Sequence, residues 1–164
     1  MAQPIEKTTN QNIWNFVYTV LFVGIVLFLG YLLEQTKGIP QSINIFDFLI
    51  IILATLRLTR LFVYDKIGKW IRDMFWDVAS DGKTLVKPKK GPRLTIADLL
   101  DCPWCVGVWT ALFTVFLYYF YSYSWVVLLV LAVAGASSLL QIIANALGWT
   151  AERAKQEAQR NQKL

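Results

Sequence analysis

Histidine is absent from this 164-residue chain, and charged residues make up only 16% of it. Without histidine, the chain has no imidazole to act as a general base or as a ligand for zinc or haem. With only two cysteines, a disulfide-rich secreted module is also excluded. Instead, 56% of the residues are hydrophobic, whereas a soluble domain has about 45–50%. This composition argues against a soluble enzyme and favours a membrane protein.

Four long apolar runs organise the sequence. Each has about 20 residues, the length that a helix needs to cross the hydrocarbon core. They predict an all-α polytopic membrane protein with four transmembrane helices, over residues 13–33, 45–63, 103–121 and 125–147. The remaining segments are an N-terminal arm (1–12), a large loop (65–101) and a charged tail (148–164), which we expect to extend the fourth helix. Only Ser122 to Ser124 separate the last two runs, which predicts a tight antiparallel hairpin.

Basic residues are distributed unevenly between the two sides of these four spans. The side with both termini and the 65–101 loop carries 13 Lys and Arg, whereas the other side carries only Lys37. The positive-inside rule therefore predicts that both termini and this loop are cytoplasmic, in a protein of the cell membrane. Because topology accounts for the formal charge of +5, we expect anionic lipid head groups as partners and no nucleic acid.

The 65–101 loop contains a helical pattern of its own. Between Ile67 and Val78, apolar residues recur at intervals of three and four, and most basic and acidic residues fall between them. This pattern predicts an amphipathic helix over 66–78, which lies along the inner membrane surface or, alternatively, binds a partner protein. Thr95 to Asp98 resembles a capping box and predicts a short helix over 96–101.

The two cysteines form a C-x-x-C pair, Cys102 and Cys105, at the start of the third span. Pro103 suits the first turn of a helix, which places Cys102 at a helix N-terminus, where the dipole favours a thiolate. Three roles stay open: structural packing, a dithiol–disulfide switch, and half of a metal site completed by Asp98, Asp101 or a second chain. A cytoplasmic location disfavours a stable disulfide. The sequence predicts no catalytic residue and no cofactor.

Arg57 and Arg60 lie inside the second predicted span, where an unpaired charge is costly. The nearest acids in the topology are Asp65, Asp98 and Asp101. We predict that one arginine bonds Asp98, Asp101 or the carbonyls at the start of the third span, with Arg57 and Asp101 as the favoured pair. Such a bond would link the second span to the third. Snorkelling to the membrane surface and an ion or substrate pathway are the alternatives.

Gln141 and Asn145 lie one helical turn apart in the fourth span, so both side chains can face one neighbouring helix. Amides in a span form hydrogen bonds across helix contacts. We expect these two residues to join helices within one subunit. The alternative is a pore-lining stripe in a homo-oligomer.

Two motifs in the middle of the chain resemble a known family. One is Leu56-Arg57-Leu58-Thr59-Arg60-Leu61 followed by Asp65, and the other is Cys102-Pro103-Trp104-Cys105-Val106-Gly107-Val108-Trp109. Together they are similar to small bacterial and phage membrane proteins catalogued as domain of unknown function 1360, some of which are described as sporulation-related. The likeness covers residues 45–147 and leaves out the first span and the tail. It implies a bacterial or phage multi-pass membrane protein and supplies no catalytic residue.

These observations together predict a membrane protein without catalytic activity that anchors, organises or assembles a bacterial or phage membrane system. Other membrane subunits or further copies of the same chain are its expected protein partners. A redox or metal-thiolate protein built on Cys102 and Cys105 is one alternative. A holin-like pore former is another, although the structured loop between the second and third spans fits that class poorly.

Overall fold

A computed structural model describes residues 5–36, 42–79, 82, 84–121 and 123–161 of the chain. The helices are α1 (Ile5–Thr36), α2 (Ile45–Val63), α3 (Lys69–Asp73), α4 (Pro92–Asp101), α5 (Pro103–Phe120) and α6 (Ser124–Asn161), and a 3-10 turn (Lys66–Gly68) precedes α3. Two short antiparallel strands, β1 (Asp77–Val78) and β2 (Leu85–Val86), pair within the large loop. The predicted all-α class is confirmed for the described residues, in which this hairpin is the single exception.

Three of the described helices are long and apolar enough to cross a membrane, over Gln11–Thr36, Pro103–Phe120 and Ser124–Glu157. α2 is similar to α5 in length, but Asp47, Arg57 and Arg60 lie among its 19 residues. The other three long helices each contain an apolar stretch of 18 residues with at most two charged residues, whereas the three charges of α2 fall within its single span-length segment. The structure therefore supports three apolar spans, and the fourth stays a prediction.

The charged helix α2 lies at the centre of the bundle, between α5 and α6. Its Ala54 packs against Leu128 and Ala132 of α6, and these three side chains form the buried core. Nearby, Gly135 of α6 comes so close to α2 that an added Cβ would overlap the carbonyl oxygen of Leu53. Small residues at such a crossing let the two backbones approach closely. By contrast, no described residue of the α1 span is buried.

Threonine hydroxyls join α2 to α5. The Oγ1 atoms of Thr55 and Thr114 are 2.8 Å apart, and those of Thr59 and Thr110 are also 2.8 Å apart. On each helix the two threonines are separated by one turn, so all four lie along one seam. Thr59, Thr110 and Thr114 are buried. These pairs satisfy hydroxyl groups that lipid chains could not hydrogen-bond.

The helix contacts place one set of chain segments at a single end of the bundle. In α1, Gln11 contacts Thr95 of α4, and the ring of Phe22 meets that of Trp109 in α5 edge-on, with centroids 4.8 Å apart. α1 and α5 therefore run in the same direction, and the α2–α5 seam is antiparallel. The start of α1, the 65–101 loop and the second half of α6 consequently share one end, which we call the loop end.

The predicted amphipathic helix over 66–78 is wrong beyond Asp73, where α3 ends. Near this point, Arg72 binds back to the end of α2. Its Nη1 donates to the carbonyl of Phe62 at 2.6 Å, and its Nη2 donates to the carbonyl of Asp65 at 3.2 Å. The last carbonyls of a helix have no partner within the helix. Arg72 supplies a hydrogen-bond donor for a carbonyl at the end of α2. After α3 the chain forms the strand β1 and not further helix.

α4 begins at Pro92, four residues earlier than predicted. Gly91 precedes it with φ at 93°, which glycine adopts without strain, and proline is favoured in the first helical position. The capping-box prediction is therefore wrong, since Thr95 lies inside the helix. Its hydroxyl accepts a hydrogen bond from Gln11 Nε2 at 2.5 Å and donates to Asn15 Oδ1 at 3.0 Å. Thr95 thus joins α4 to α1.

The connection between α5 and α6 is short, as predicted, although Ser122 lies outside the described residues. The hydroxyl of Ser124, the first residue of α6, donates to the carbonyls of Leu117 and Tyr121 at 2.7 and 2.6 Å. From there α6 continues without a break to Asn161. The expectation that the tail extends the last helix is confirmed as far as Asn161, and residues 162–164 lie outside the described residues.

Candidate functional site

Cys102 and Cys105 lie against each other at the junction of α4 and α5. Cys102 is the N-cap of α5, and its Sγ accepts a hydrogen bond from the backbone N–H of Cys105 at 3.3 Å. The thiol of Cys105 donates to the same sulfur at 2.7 Å. Both cysteines are free, Cys102 half-buried and Cys105 exposed. The local sequence produces this geometry, because Pro103 starts the helix and a separation of three residues brings both sulfurs to one face.

The two hydrogen bonds from Cys105 favour the ionised form of Cys102. They lower the pKa of the Cys102 thiol below its ordinary value, and the bond from the Cys105 thiol is the largest cause. A thiolate, and not a thiol, is the nucleophile in cysteine chemistry. The site therefore contains one sulfur whose ionised form is favoured and one neighbour that donates to it.

Asp98 and Asp101 bind Lys87. The prediction that one of them binds an arginine of α2 is wrong. The Nζ of Lys87 lies 2.9 Å from Asp98 Oδ1 and 2.7 Å from Asp101 Oδ2. The hydrogen bond to Asp101, followed by that to Asp98, raises the pKa of Lys87. Within the part of the chain that the structure describes, no group of three or more Cys, Asp or Glu could hold a metal ion.

Arg57 pairs with Asp65, and the predicted pair with Asp101 is wrong. The two side chains approach to 2.8 Å and are only 25% and 26% exposed. Asp65 reaches Arg57 because the chain turns back directly after α2, so the pair closes the end of one helix instead of linking two. Arg60 lies with its guanidinium 5.4 Å from the ring centre of Tyr64, and its buried Nε has no hydrogen-bond partner among the described residues.

Gln141 and Asn145 do not join α6 to another helix of the chain. Gln141 Nε2 donates to Asn145 Oδ1 at 3.0 Å, and both side chains are exposed. The prediction of packing within one subunit is therefore wrong. The face of α6 that meets α2 is the one with Ala132 and Gly135. A role for the two amides between copies of the chain stays a prediction.

An open groove of about 370 Å³ lies beside Cys105, between α1, α4 and α5. Phe22 and Trp109 form an aromatic part of its wall, and Asn15 and Asp98 form a polar part. Its volume is in the range of small-molecule sites, about 300–1,000 Å³. The exposed thiol thus borders a space that a small ligand could enter.

Sequence reasoning missed a polar contact at the opposite end of the bundle. Tyr118 of α5 donates to Asp47 Oδ2 in the first turn of α2 at 2.8 Å. An acid near a helix N-terminus is favourably placed with respect to the helix dipole. Two features of the sequence could have indicated this contact. Asp47 is an acid at the start of an apolar run, and the end of the third run is rich in tyrosine.

A family model described as "Protein of unknown function (DUF1360)" matches residues 50–144, which is more than half of the chain. The chain belongs to the DUF1360 family. The resemblance that the motifs indicated is thereby confirmed. The part that matches the DUF1360 model contains the Arg57–Asp65 pair, the Lys87 cluster and both cysteines, but it excludes α1 and the last part of α6.

Two curated relatives of this DUF1360 chain come from Bacillus subtilis (strain 168). The chain is 35% identical to "UPF0713 protein YngL" over 104 residues, which cover 62% of the chain and 80% of the relative. It is 33% identical to "Sporulation protein YjcA" over 110 residues, which cover 62% of the chain and 92% of that relative. No solved structure matches the chain.

Proposed function

We propose that this DUF1360 protein is a multi-pass membrane protein that anchors or organises other proteins through a helical arm at the loop end. The observation that carries the proposal is α6, a single helix of 38 residues. At 1.5 Å per residue it is about 57 Å long, nearly twice the thickness of the hydrocarbon core. A membrane span alone does not require such a helix.

The second half of α6 extends past the rest of the bundle. Every side chain described between Leu139 and Arg160 is exposed, and these include Leu147 and Trp149 at 65% and 70%. Most helices in proteins are stabilised by packing of an apolar face. We call residues 148–161 the arm, and we propose that a partner protein or a second copy of the chain packs against it.

The proposed arrangement has four spans, with the loop end in the cytoplasm. The position of α2 between α5 and α6 supports its role as a span. Arg57 pairs with Asp65 and Tyr118 donates to Asp47, and both contacts lower the cost of charge in the membrane. The excess of basic residues at the loop end supports the orientation. The exposed apolar side chains next to α2 fit an interfacial position for α3, and they are Ile67, Trp70 and Met74.

Labelling of single cysteines tests this topology. In a background without Cys102 and Cys105, we expect Lys90→Cys to react with a membrane-impermeant maleimide only in inverted vesicles. Tyr123→Cys should react in intact cells, because the α5–α6 turn lies at the opposite end of the bundle. Labelling of Lys90→Cys in intact cells would contradict the orientation, and reaction of both residues from one side would contradict the four spans.

A photo-crosslinking scan tests the arm. A photoreactive residue is placed in turn at each position from Gly148 to Glu157, with Val126 on the exposed face of the α6 span as the matched control. If a protein packs on one face of the arm, the yield of a single adduct should rise and fall with a period of 3.6 residues, and Val126 should not give that adduct. Uniform or absent crosslinking along the arm would refute the docking role.

A further inference from the structure

We propose that Cys102 and Cys105 form a redox-active dithiol that reduces small organic disulfides at the membrane surface. This inference goes beyond the anchoring role and does not depend on it. It rests on the distance of 2.7 Å between the two sulfurs, on the N-cap position of Cys102, and on the groove beside Cys105.

The environment of the two cysteines differs from that of a structural pair. Cysteines that serve packing are among the most buried residues of proteins. Here Cys105 is exposed, and Trp104 between the cysteines is 85% exposed. The first buried side chain of α5 is Val106. The turn with the thiols therefore stands at the edge of the core, in the first turn of the α5 span, and the proposal places it at the membrane surface.

The hydrogen bonds give the two sulfurs different tasks. Cys102 accepts from both the N–H and the thiol of Cys105, so Cys102 is the nucleophile and its lowered pKa supports that role. Cys105 is the exposed thiol that donates. It lies within the same turn of α5 and is placed to attack the Cys102 sulfur after the first exchange.

The reaction is a two-step thiol–disulfide exchange with a substrate R–S–S–R. The Cys102 thiolate attacks one substrate sulfur, the S–S bond breaks, and one RS⁻ leaves and takes up a proton. Cys105 then loses its proton, attacks the Cys102 sulfur and expels the second RS⁻, which is protonated in turn. The substrate gains two electrons and two protons, and the protein dithiol becomes an intramolecular disulfide.

The proposed cytoplasmic position agrees with this direction of electron flow. Cytoplasmic thiols are kept reduced, and cytoplasmic disulfides are usually transient and catalytic or redox-sensing. The proposed resting site is then the dithiol. The groove of about 370 Å³ is lined by Cys105, so it offers a small disulfide a place beside the site.

The test treats the purified full-length protein in lipid nanodiscs with glutathione disulfide and follows its intact mass. We expect the wild type to lose two hydrogens without a lasting adduct, and Cys105→Ser to retain one glutathione. Cys102→Ser should react about tenfold more slowly, because its remaining thiol is not activated. The matched control is Gln156→Cys on the arm, in a background without the other cysteines, as an ordinary exposed thiol.

A second measurement does not depend on the variants. Equilibration of the wild type with mixtures of reduced and oxidised glutathione should give one reversible transition between dithiol and disulfide.

The proposal is overturned if the wild type accumulates two glutathione adducts without closing a disulfide, or if neither thiol reacts. Equal initial rates for the wild type and for the Gln156→Cys control would also overturn it, since the wild type retains both hydrogen bonds that favour the Cys102 thiolate.

Discussion

Replacing Gly135 with alanine is expected to lower the free energy of unfolding by about 3 kcal/mol, the upper range for overpacking of a core. The added Cβ would overlap the carbonyl oxygen of Leu53 and would lie 3.4 Å from the Cβ of Arg57. The overlapping atom belongs to the backbone of α2, so no rotamer change can relieve the clash. α2 and α6 would have to separate, which would open the core around Ala54 and Leu128.

Gly148→Ala is the matched control for this substitution. It lies in the same helix, but an added Cβ would meet nothing within 4 Å. We expect it to be neutral or to stabilise the protein by up to about 1 kcal/mol, because alanine is the better helix former. The measurement is unfolding of both variants in mixed micelles with increasing SDS. Identical unfolding curves for the two variants would show that α6 does not cross α2 at Gly135.

Arg57→Leu is expected to destabilise the protein because it leaves the carboxylate of Asp65 without its partner. Removing one member of a buried ion pair costs about 3–5 kcal/mol. Since a quarter of each side chain is exposed, water screens part of the charge, and we expect about 3 kcal/mol at most. The readout is the same unfolding experiment, together with the yield of folded protein.

The double variant Arg57→Leu/Asp65→Asn should recover most of this loss, since no charge is then left unpaired. Lys69→Leu is the control, because the Lys69–Asp73 pair is exposed at 65% and 37% and such surface pairs contribute little. Additive losses in the double variant would contradict the pairing. Recovery with Asp101→Asn instead of Asp65→Asn would favour the predicted pair of Arg57 with Asp101, at the end of α4.

The local features of the cysteine site could be predicted from the sequence because they depend on a few consecutive residues. Pro103 favours the first turn of a helix, and a separation of three residues puts Cys102 and Cys105 on one face. No tertiary contact is needed for either effect. The start of α4 depends equally on local signals, because Gly91 and Pro92 mark it. Thr95 resembles a capping residue in sequence, but its hydroxyl contacts α1 instead of capping its own helix.

The partner of Arg57 could not be predicted in the same way. Asp65, Asp98 and Asp101 were all within reach of the predicted topology, and the choice depended on where the chain turned after α2. That turn is held by Arg72, which donates to the carbonyls of Phe62 and Asp65. A helical pattern shows which side chains share a face, but it does not show that one of them will cap a different helix.

By itself, the sequence determined the all-α class, the long apolar helices and the family, because runs without charge must satisfy their backbone hydrogen bonds within helices. Only the tertiary structure decided which helix is central and which face of each helix is covered. Thr55 and Thr59 meet Thr114 and Thr110 because of the register between α2 and α5, and Gly135 sets which side of α6 approaches α2. Such contacts depend on the shape and spacing of two surfaces at once, which no single stretch of the chain encodes.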